Sequence, residues 1–122
     1  MNYVTVPIDI DRLRDLFDDD DAALFELLRA TVETTRLVIA KINVAVLRRE
    51  TSMAAAAAHE LKGFAGNVGA THLANLAALV EIEVSALHWP TVVVAYAALV
   101  VEATRVVDYI TDSLSAAESA VK

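Results

Sequence analysis

Apolar residues recur along most of this chain at three- and four-residue steps. Between residues 22 and 49 they fall at Leu24, Leu27, Leu28, Val32, Thr35, Ile39, Ile42 and Val46. That spacing predicts a long amphipathic helix. Before it, Asp9 is placed to cap a short helix over residues 10–17, with Leu13 and Phe17 on one side. The acidic run at residues 18–21 separates the two and complements the dipole at the start of the longer one.

Thr51 or Ser52 is the expected cap of a third helix, which runs into a segment holding Gly63, Gly66 and Gly69. Gly69 stands where a left-handed C′ glycine would end that helix. A fourth helix is expected from Thr71, carrying Leu73, Leu76, Leu79 and Val80 and stopping before Pro90. Valine-rich residues 91–122 have strand propensity, but no glycine or proline interrupts them. Hairpin turns have no place there, and length decides for a fifth helix.

Four long helices joined by short turns predict an all-α, up-and-down antiparallel four-helix bundle, with the short N-terminal helix capping one end. The 122 residues fit a single domain, 1–122, able to bury its own core.

Composition narrows the classes. The hydrophobic fraction is 57%, yet the longest apolar run, residues 92–101, falls short of the ~18 residues that span a bilayer. A net charge of −7 argues against binding a nucleic-acid backbone. With no cysteine, disulfides and thiolate metal sites are excluded. The amino terminus lacks a signal-peptide pattern, so a cytoplasmic protein without membrane attachment is expected.

The chemistry concentrates in the third helix. At about 100° per residue, Ser52, Ala55, Ala56, Gly63 and Gly66 fall within roughly 60° of His59. Lys62 lies on the same side, one turn along, and Asn67 at about 80° borders it. The opposite face holds Ala54, Ala57, Leu61, Phe64 and Val68, with Leu61 and Phe64 read as core anchors. His59 is thus ringed by residues with almost no side chain, which leaves a flat partner room to approach. A neutral imidazole is nucleophilic near neutral pH. Lys62 can place an ammonium beside an anion carried on it. The pattern points to covalent catalysis at a histidine nitrogen with transfer of an anionic group.

Other readings are weaker. Zinc binding through H-E-x-x-H fails because Gly63 occupies the second histidine position. Glu60 lies about 100° from His59 and is poorly placed as its base. His72 and His88 are read as ordinary surface or core histidines. Arg48 and Arg49 reach the rim of the docking face or compensate a helix dipole.

The stretch from His59 to Ala70 resembles the signature of the histidine-containing phosphotransfer (HPt) domain family, H-x-L-K-G-x-x-x-x-x-G-A. His59, Leu61, Lys62, Gly63, Gly69 and Ala70 match, followed by Leu73, Leu76, Leu79 and the acidic Glu81. The resemblance implies a phosphorelay intermediate. His59 would accept a phosphoryl group from one receiver-domain aspartate and pass it to another. Lys62 would steady the phosphoryl oxygens, and Gly63 would leave access beside the imidazole. Ser52, Ala55, Ala56, Gly66 and Asn67 would form the docking face. No cofactor is expected on this chain, and Mg²⁺ would come from the receiver. The implied partners are response-regulator receivers or a hybrid histidine kinase, with this chain a monomer.

Two features depart from the family. Phe64 stands where members often carry a small residue, and the alanine run before His59 is bland enough to loosen partner specificity. A histidine kinase would need a nucleotide-binding domain, and no glycine-rich phosphate loop lies outside residues 63–69. The alternative is a bundle that keeps the fold and regulates partners without being phosphorylated.

Overall fold

A computed structural model of the chain describes residues 6–120. Five helices follow one another: α1 (Ile10–Leu16), α2 (Asp21–Leu47), α3 (Thr51–Asn67), α4 (Thr71–Ser85) and α5 (Trp89–Ala120). Short turns make successive helices antiparallel. Contacts run α2 to α3, α3 to α4, α4 to α5 and back from α5 to α2, so α3 and α5 lie on a diagonal. The chain forms the expected all-helical bundle, with α1 packed against α2. Residues 121–122, included in the predicted last helix, lie outside the described residues, as do residues 1–5 at the amino terminus.

The helix starts divide by chemistry. Asp9 Oδ1 accepts from the Arg12 backbone N–H at 3.1 Å, and Asp20 Oδ1 accepts from that of Ala23 at 3.1 Å. Each satisfies one orphan donor of its helix. The acidic run supplies this second cap, while Asp18 and Asp19 turn the chain with φ of 50° and 62°. α3 departs from expectation. Its N-cap is Glu50, which makes no side-chain capping bond, and Thr51 is already helical.

Four helix ends share one geometry, the first being that of α1, where Asp18 N–H donates to Asp15 O at 3.2 Å and Asp19 N–H to Arg14 O at 3.3 Å. Gly69, with φ of 80°, ends α3: its N–H donates to Gly66 O at 3.2 Å, and Ala70 N–H donates to Ala65 O at 2.8 Å. This is the Schellman pattern, with Gly69 at C′ as the sequence predicts. Arg49 (φ 51°) and Leu87 (φ 60°) hold the same position after α2 and α4, without being glycine.

Leu87 marks the end of α4. α4 stops at Ser85, before Pro90 as expected, and a short turn leads into α5 at Trp89. Pro90 lies inside the first turn of α5, where a missing N–H costs no hydrogen bond. Left-handed backbone is unfavourable for a residue with a Cβ, and Leu87 is exposed. Leu87→Gly is expected to stabilise the protein by about 0.5–1 kcal/mol, raising the melting temperature by a few degrees. A thermal melt monitored by circular dichroism checks it.

Leu24, Leu28, Val38, Ile42, Leu61, Leu73, Val80, Val84, Val92, Leu99, Val106 and Ile110 fill the core. Where α3 joins it, alanines dominate: Ala54, Ala57, Ala58 and Ala65 are buried. Small residues allow helices to approach closely, and this sets the depth at which α3 sits. Phe64, read as a core anchor, is only half-buried. The inward face of α3 is turned toward Ala58 and Ala65, leaving the phenyl ring on its flank. Leu79, placed in the core stripe of α4, is 41% exposed.

Candidate functional site

The rotation of α3 places His59 outward. Its side chain is 66% exposed, and Nδ1 lies 3.0 Å from Glu81 Oε2. Glu81 comes from α4 and is 27% exposed, so the carboxylate rises from the α3–α4 seam. Its second oxygen, Oε1, lies 3.5 Å from Lys62 Nζ. One carboxylate therefore engages both side chains that the sequence singled out.

The geometry favours one tautomer of the neutral imidazole. A carboxylate only accepts hydrogen bonds, so Nδ1 must donate and carry the hydrogen. The lone pair is then on Nε2, the nitrogen that Glu81 leaves uncovered. A second-element carboxylate that holds one ring nitrogen and sets the reactivity of the other is a common way to orient histidine.

The surroundings are low. Ser52, Ala56, Gly63, Gly66 and Asn67 are exposed along the same helix. A Cβ built on Gly63 or Gly66 meets nothing within 4 Å. Neither glycine is required by close packing of a neighbouring helix. Ala55, assigned to the docking face, is half-buried against the core and forms the floor of that face.

Other candidates are placed elsewhere. Glu60 turns toward α2, where its Oε1 lies 3.3 Å from Lys41 Nζ. Arg48 pairs with Glu50 at 3.9 Å, and Arg49 lies over the Trp89 ring at 5.8 Å. Both arginines are thus held at the turn after α2. His72 is exposed at the start of α4. His88 Nδ1 lies 3.2 Å from Glu83 Oε2 near the α4–α5 turn. Among the described residues, no group of three or more His, Asp or Glu side chains is placed to hold a metal ion.

Glu81 is the residue whose role the sequence did not disclose. It stood in the pattern as an acidic position after the leucines, but the register of α4 against α3 was needed to bring it to His59. The Lys41–Glu60 pair was hidden for the same reason, since its partners lie on different helices.

A family model described as the Hpt domain matches residues 26–119. Among solved structures, the HPt domain of the Hpt sensor hybrid histidine kinase from Shewanella is similar, with a TM-score of 0.73 at 16% identity. That likeness covers 89% of this chain and 94% of that one, and shows a shared fold. No curated protein matches the chain.

Proposed function

Because this chain belongs to the Hpt domain family of two-component signalling, we propose that it carries a phosphoryl group on His59 between receiver-domain aspartates. The observation that carries the reading is the imidazole itself: exposed, flanked by glycine and alanine, and held at Nδ1 by Glu81. In the transfer step the Nε2 lone pair attacks phosphorus and forms the N–P bond. The P–O bond to the donor aspartate breaks, and its electron pair leaves with the carboxylate. Nε2 carries no hydrogen, so no base has to remove one. Positive charge that develops on the ring is spread to the Nδ1–H, which faces Glu81.

Lys62 contributes charge from one turn away. Its ammonium is shared with Glu81 before transfer and lies on the His59 side of α3. A dianionic phosphoryl group on Nε2 would compete with Glu81 for it, at close range and with greater charge. Mg²⁺, supplied by the receiver's acidic pocket, would neutralise charge on the transferring oxygens. The chain's own part is to position the nucleophile.

The test is phosphotransfer from a panel of phosphorylated receivers, and from a small acyl phosphate, followed by mapping of the label. Phosphoramidate at His59, labile in acid and persistent in base, is the expected product. A chain that binds receivers but never acquires label from any donor would belong to the alternative, a bundle that regulates by binding alone.

Lys62→Ala is expected to slow transfer about ten- to a hundred-fold. Charge-assisted hydrogen bonds contribute about 1.5–3 kcal/mol, and each 1.36 kcal/mol is a factor of ten in rate. Stability should barely change, because the ion pair with Glu81 is substantially exposed. Rapid-quench rates equal to wild type would remove Lys62 from the mechanism.

A further inference from the structure

The outer face of α5 lies diagonally across the bundle from α3, and the proposed reaction does not use it. Val93, Val94 and Val101 are 59%, 70% and 63% exposed there. Ala97 and Ala98 are exposed between them. From Trp89 to Thr104 no charged side chain reaches solvent, since Glu102 is buried beside Arg105.

The exposed residues have an order. Pro90, Val94, Ala97, Val101, Thr104 and Asp108 follow one another at alternating steps of four and three. That is the 3.5-residue period of a helix seam that packs against another helix. The seam is also symmetric about Leu99. Turned end for end, Ala97 falls opposite Val101, Val94 opposite Thr104, and Pro90 opposite Asp108.

We propose that this seam joins two copies of the chain, α5 packing antiparallel against α5 about a two-fold axis at Leu99. Small and larger residues then alternate across the contact, Ala97 of each copy meeting Val101 of the other. Charge selects the same arrangement. α5 has no acidic residue in its first turn. In the antiparallel register the second copy's Asp108 arrives beside Pro90, where helix N–H groups lack partners and the dipole is positive. A parallel pairing would instead set the two Asp108 carboxylates against each other.

A second copy fits this face better than a lipid surface. Amphipathic helices that lie on membranes border their apolar face with lysine and arginine. The α5 face is bordered by Thr104, Asp108 and a single arginine, Arg105, whose guanidinium is paired with Glu102 at 2.6 Å, on a chain of net charge −7. The seam from Pro90 to Asp108 is about 27 Å long, at 1.5 Å per residue. A contact one helix seam wide and of that length is expected to fall below the roughly 800 Å² per partner of a standard interface, which suits a weak association in the micromolar range. Salt should strengthen it by screening the like net charges. In place of the monomer expected from sequence, the proposal gives a weak dimer whose two imidazoles lie away from the contact.

Sedimentation velocity from about 1 to 300 µM, a range that brackets such an affinity, tests the proposal. The wild-type chain should pass from monomer to dimer across it. Val101→Glu should stay monomeric throughout, with unchanged helicity and unchanged labelling of His59 at low concentration. The register has its own test, since the chain contains no cysteine. Ala97→Cys mixed with Val101→Cys under mild diamide oxidation should give a disulfide-linked dimer in far greater yield than either alone. Wild type that remains monomeric, or a dimer that survives Val101→Glu, overturns the proposal. So does Val101-dependent binding to phosphatidylcholine vesicles by a chain that does not self-associate, which would assign the face to lipid.

Discussion

His59→Gln is expected to abolish receiver-dependent labelling while leaving the bundle's melting temperature within about a degree of wild type. Both halves follow from where the side chain sits. The nucleophilic lone pair belongs to the ring, and an amide has none of comparable strength. The imidazole's contribution to folding is slight: its side chain is 66% exposed, and it makes a 3.0 Å hydrogen bond to Glu81. Partly exposed bonds of that kind contribute about 1 kcal/mol or less, and glutamine can donate to the same carboxylate.

The controls are informative because exposure alone does not select His59. The side chain of His88 is equally exposed and also has a glutamate at Nδ1. What His88 lacks is the setting, because it sits beside the half-buried Trp89 instead of between glycine and alanine turns. His72→Gln and His88→Gln should therefore label at the wild-type rate. Loss of label in either one, with His59→Gln still active, would falsify the assignment.

The long helices were legible because burial and periodicity coincide. Leu24, Leu28, Ile42 and Val46 read as one stripe, and they are buried together. The exposed side of α3 was legible for a different reason: tiny residues on one side of a histidine are conspicuous in any sequence. Errors arose where size misled. Phe64 carries more hydrophobic weight than Ala58 or Ala65, so a helical wheel places it inward. The bundle instead seats α3 on its alanines, where close approach matters more than side-chain volume. The exact last residue of α4 was not legible because Leu87 adopts a left-handed backbone without the glycine that announces one. Glu81 and Lys41 required the register between helices, which the spacing along a single helix does not contain.

The glycine beside the imidazole separates access from packing, and the expected outcome of enlarging it is large. Gly63→Leu should keep or raise the melting temperature and yet lose receiver-dependent phosphorylation. The position lies inside α3 with ordinary helical backbone, so leucine should gain up to about 1 kcal/mol of helix propensity. A Cβ at Gly63 would enter open space, with no atom within 4 Å. No neighbouring helix therefore has to move, which leaves little ground for a packing role of this glycine. The harm lies entirely in the encounter. A leucine one turn from His59 stands between the imidazole and a flat partner, and reactive geometry tolerates displacements well under an ångström. Gly63→Ala is the graded control, adding one methyl and most of the propensity while leaving transfer substantially intact. Labelling by a small acyl phosphate distinguishes the cause, since such a donor needs far less room than a receiver. Gly63→Leu should accept phosphate from it at close to the wild-type rate and fail only with the protein donor. A Gly63→Leu chain that melts as expected and still takes phosphate from receivers at full rate would mean that the glycine serves something other than access.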